Sequence, residues 1–64
     1  MRCFRLVWEF GNRYDLEYYS LFFCWSYENS FRGSREKVIN QARRYLNDRY
    51  NIYELRYPTE EKKK

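Results

Sequence analysis

Residues 14–27 read YDLEYYSLFFCWSY, and how this run is divided decides the fold. Tyr14, Tyr18, Tyr19, Phe22, Phe23, Trp25 and Tyr27 stand in it, with Leu16 and Leu21 between them. Each large side chain stabilises a fold by about 1.5–3 kcal/mol when fully buried. No other stretch carries as much apolar area, so the rest of the chain reads as what this run packs against. Its first half alternates. Tyr14, Leu16 and Tyr18 share one face, and Asp15, Glu17 and Tyr19 share the other, which is the period of a strand. Beyond Ser20 the alternation fails, because Leu21, Phe22, Phe23, Cys24 and Trp25 are apolar in succession. Such a segment is a strand buried on both faces, a bulged one, or one that outruns its partner. Glu28, Asn29 and Ser30 are expected to end it.

Upstream, RCFRLVWEF alternates in the same way: Phe4, Leu6, Trp8 and Phe10 against Cys3, Arg5, Val7 and Glu9. Gly11, Asn12 and Arg13 supply turn chemistry, so the two strands form a hairpin. A two-residue turn at Gly11 and Asn12 sets Asp15 and Glu17 beside Leu6 and Trp8. A three-residue loop avoids this and pairs Phe10 with Tyr14, Trp8 with Leu16, Leu6 with Tyr18 and Phe4 with Ser20. Trp8 is then a core residue.

Downstream, Ser34 is a suitable helix N-cap and Glu36 suits the first turn. Val38, Ile39, Ala42, Tyr45, Leu46 and Tyr50 recur at three and four, so the helix runs to about Tyr50. Asn51 suits a left-handed C-terminal position. Residues 52–57 alternate again as a third strand, and Pro58 stops pairing. The expectation is one α+β domain over residues 1–58, in the order β-β-α-β. Its three-stranded antiparallel sheet has the order 2-1-3, with the helix on one face. Residues 59–64 form a charged tail expected to fray.

Composition narrows function. The chain has 64 residues, enough for one core, and 23% aromatics with 34% charged residues, which argues against disorder. Two cysteines and no histidine leave no Cys-His or Ser-His pair and no histidine metal ligand. Cys3 and Cys24 read as reduced thiols of a cytoplasmic protein, without an intramolecular disulfide. Glu9, Glu17 and Glu54 could gather round a metal, but the interleaved Arg5 and Arg56 make a salt-bridged surface the better reading. Gly33, Ser34 and Arg35 at a helix start could hold a phosphate, yet a simple cap accounts for them. No catalytic residue, metal, cofactor or small-molecule substrate is therefore expected, and no run is long enough to span a membrane. No membrane partner is expected either.

The net charge is +4, mostly arginine, which suits planar contacts and stacking on rings. Tyr, Trp and Arg are also the residues enriched at protein interfaces. A single helix is too narrow to cover both faces of the run from Leu21 to Tyr27. The surplus aromatics point to a protein partner or a second copy of the chain, met through Phe23, Trp25, Tyr27, Phe31 and Arg32. A non-enzymatic domain of this size suits a regulator or inhibitor of a larger protein or nucleoprotein machine, of the kind viral and phage genomes encode. The alternative is RNA or single-stranded DNA. It would be held by Arg35, Arg43 and Arg44 on the helix, or by Arg5, Tyr19 and Arg56 on the open face of the sheet.

Overall fold

The computed structural model describes residues 1–58; the charged tail lies outside the described residues. The expected α+β class holds, with one helix against one sheet, but that sheet is mixed and has four strands instead of three. The elements are β1 (Arg2–Phe10), β2 (Arg13–Tyr19), β3 (Trp25–Arg32), α1 (Arg35–Arg49) and β4 (Tyr53–Arg56). Strand order is β3-β2-β1-β4.

The extra strand comes from the apolar run. The chain does not continue β2 through Leu21 and Phe22 but reverses there. Phe23 N donates to Ser20 O at 3.1 Å, and Ser20 N to Cys24 O at 2.8 Å. Phe22 N donates to the Ser20 Oγ at 3.2 Å. Phe23 closes the turn in the left-handed region, at φ 61°. A three-residue loop wants that backbone conformation and usually takes glycine for it. Here a phenylalanine occupies it, so composition gives no turn signal. Asn29 and Ser30, expected to end a strand, lie inside β3.

The reversal also inverts the last pairing. β3 is antiparallel to β2, which is antiparallel to β1, so β3 runs with β1. The helix returns the chain over the sheet, and β4 joins the free side of β1 in parallel, pairing Arg2 with Tyr53 and Phe4 with Leu55. The all-antiparallel order 2-1-3 is thus corrected: one unforeseen turn changes the direction of everything after it. β4 is also shorter than residues 52–57.

The first hairpin is corrected in register, and in faces at Phe10, which moves from the apolar face to the open face with Arg13. Phe10 opposes Arg13 across a two-residue turn, with Gly11 at φ 51°. A bulge at Glu9 then absorbs one residue, so Trp8 opposes Tyr14, Leu6 opposes Leu16 and Phe4 opposes Tyr18. The bulge restores the parity that the short turn alone would have broken. Asp15 and Glu17 stay off the apolar face, as expected, by a different route.

On that face Phe4, Leu6 and Leu16 are buried against Val38, Ala42 and Leu46, which recur every four residues along α1. Tyr14, Tyr18, Phe31, Ile39, Tyr45, Tyr50, Tyr53 and Leu55 pack round them. Ser34 caps the helix, its Oγ accepting from Lys37 N at 3.3 Å. At the other end Tyr50, not Asn51, is the cap. It is extended, and its N–H reaches Leu46 O at 2.7 Å. Trp8 is not core: it is 55% exposed, beyond the cover of Val38, Ala42 and Leu46, and its Nε1 donates to Gly11 O at 2.9 Å.

Candidate binding face

A second bulge decides what the sheet shows to the outside. Leu16 opposes Asn29, yet Glu17 opposes Tyr27, so Glu28 is the extra residue of β3. In an unbroken strand, Tyr27 and Trp25 would share the helix side with Phe31 and Asn29. The bulge transfers them to the open face, in line with Glu17 and Tyr19. Glu28 itself turns to the helix side, where its Oε2 accepts from the hydroxyls of Tyr45 at 2.6 Å and Tyr50 at 3.4 Å. The carboxylate acceptor, with partial burial, pushes the Tyr45 hydroxyl pKa up from 10.0 to about 12.

On the open face the Trp25 indole reaches across β2. The guanidinium carbon of Arg5, from β1, lies 4.3 Å from its ring centroid, and that of Arg56, from β4, lies 5.9 Å away. Tyr19 meets the same ring nearly edge-on, at 5.3 Å between centroids. Such contacts orient the indole as well as attract it. Arg5 Nε donates to Glu17 Oε1 at 2.8 Å, Arg13 Nε to Asp15 Oδ1 at 3.1 Å, and Arg56 Nε stands 3.8 Å from Glu54 Oε2. Cys3 Sγ donates to Glu54 Oε1 at 3.5 Å. These arginines and carboxylates pair one to one, so the face is polar but close to neutral. Both thiols are free.

The residues expected to bind divide in an unforeseen way. Trp25 and Tyr27, expected to meet protein, join Arg5, Tyr19 and Arg56, expected to meet nucleic acid, on one surface. Phe23 stands apart in the β2–β3 turn. Phe31 faces the helix and packs edge-on against Tyr45, 5.9 Å between centroids. Arg32 is exposed at the other end of β3 from Trp25. Arg43 and Arg44 are exposed on α1, and Arg35 at its start donates to Pro58 O at 2.9 Å. All three lie on the helix side of the sheet. Sequence reasoning did not single out Leu21 and Phe22, the most exposed large apolar residues of the turn. The only signal for them was the failure of alternation itself.

Among the described residues no three His, Cys, Asp or Glu side chains gather to hold a metal, and no helix is long and apolar enough to cross a membrane. No known family model matches the chain, and no curated protein and no solved structure matches it.

Proposed function

We propose that the chain is a non-enzymatic protein-binding module whose contact surface is the open face around Trp25. The observation that carries this reading is the indole laid across the sheet under Arg5 and Arg56, with Tyr19 and Tyr27 beside it. No element covers that face among the described residues. Trp, Tyr and Arg dominate the energetics of protein interfaces, and these side chains are already oriented by one another. A preorganised cluster loses less side-chain freedom on binding. The module would act by occupying a surface of a larger protein, as a regulator or inhibitor does. Nucleic acid ranks second on charge. The arginines beside the stacking aromatics are matched by Glu17, Asp15 and Glu54, whereas Arg43 and Arg44 lie on the other side of the sheet.

Affinity capture from nuclease-treated host lysate, followed by calorimetry on the purified partner, tests the proposal. Tyr27→Ala removes an exposed ring from the face and leaves the core intact. It should weaken binding at least about tenfold with an unchanged melting temperature. Partners retained with undiminished affinity by both Tyr27→Ala and Tyr19→Ala would overturn the assignment. So would capture that disappears with nuclease treatment.

A further inference from the structure

The end of the molecule where β2 turns into β3 has a different chemistry from the open face. Leu21 is 94% exposed, Phe22 87% and Phe23 82%, and nearby Ile52 is 68% exposed. Met1 and Arg2 line one cleft with Leu21 and Phe22. Arg2 N donates to Ile52 O at 3.4 Å, which ties the start of β1 to the approach to β4. Arg49 ends the helix at the same end of the sheet.

We propose that this apolar end docks on an anionic lipid surface. Three observations favour lipid over a protein socket. The turn presents three consecutive side chains without a polar atom, each more than four-fifths exposed. Its Phe22 and Phe23 N–H groups are turned inward onto Ser20 Oγ and Ser20 O, so they need no donor or acceptor from whatever covers them. A protein interface normally adds about one hydrogen bond per 100–200 Å², whereas hydrocarbon offers none and penalises every orphaned N–H. Lastly, the turn is flanked by the half-exposed Tyr19, whose amphipathic ring is of the kind favoured at headgroup depth. The basic Arg2 and Arg49 stand at the same end of a chain with net charge +4. Lying on a surface needs no spanning segment; it needs an apolar projection of this kind with cations around it. The docking goes beyond the protein-binding reading and uses different side chains from Tyr27.

Flotation with vesicles of phosphatidylcholine alone, and of phosphatidylcholine with phosphatidylserine, tests it. The wild-type chain should float with the anionic vesicles, at least about tenfold more weakly with the neutral ones, and less as salt rises. The variant L21S/F22S/F23S should lose flotation while keeping its melting temperature, because these side chains bury little on folding. Phe22→Trp should retain flotation and shift its emission to the blue with anionic vesicles. Three outcomes would overturn the proposal: no flotation at low salt, equal flotation of the triple variant, or association of the chain with itself through residues 21–23 in the absence of vesicles.

Discussion

Phe23 holds a backbone conformation that costs an L-residue roughly 1–2 kcal/mol, and its ring recovers little of this by burial. Glycine adopts φ 61° freely but loses more freedom on folding, so Phe23→Gly should raise stability by about 1 kcal/mol or less, read from chemical denaturation. The same variant should bind anionic vesicles more weakly. Tyr45 gives a second prediction at this scale. Its neutral form is favoured in the folded chain, because deprotonation would set a phenolate against the Glu28 carboxylate. A pKa raised on folding contributes stability that is fully present below pH 10.0 and is lost as pH rises through about 12. Of eight tyrosines, one should ionise late in a native absorbance titration, and Tyr45→Phe should remove that late component. Trp25 shows how far a single residue was legible. Its surplus over the core was plain from the sequence, but its orientation depends on Glu28, whose two tyrosine partners stand on the distant helix and at its C-terminal cap.

At the scale of elements, β1, the helix and its Ser34 cap were legible because each rests on a local period or a local hydrogen bond. The hairpin faces, Phe10 apart, were legible for the same reason. The β2–β3 turn was not, because turn detection relies on glycine, asparagine or proline, and Ser20 to Cys24 holds none of them. The Glu9 bulge was hidden as well, since a bulge leaves composition unchanged and shows only in pairing. Trp8 followed from these errors: in a straight three-residue hairpin it opposes Leu16 and is buried, and in the observed one it opposes Tyr14 and is exposed. Phe4→Ala should therefore cost about 3–5 kcal/mol by thermal unfolding, while Trp8→Ala should cost about 1–2 kcal/mol. Equal losses would return Trp8 to the core.

The whole molecule is a thin plate, 31 × 24 × 15 Å along its principal axes, with one layer of helix behind one layer of sheet. Its small core is apolar, and the described residues include no buried polar or charged side chain. Most of the aromatic content therefore lies outside full burial, which is why the candidate surfaces occupy so much of so small a chain. Which side of the plate carries the indole depends on the bulge in β3, a feature of pairing and not of residue type. With the bulge at Glu28, Trp25 and Tyr27 stand away from the helix; were Glu28 paired in an unbroken strand, the same two rings would point at it. Deleting Glu28 would instead seat Tyr27 beside Asn29 in regular alternation, keeping both rings outside while removing the carboxylate that accepts from Tyr45 and Tyr50. Glu28 is thus surplus to the ladder, and what it adds is a hydrogen-bond acceptor on the helix side. A related sequence with a gap at this residue would keep the same outer surface where both aromatic residues persist, and would lack only that acceptor.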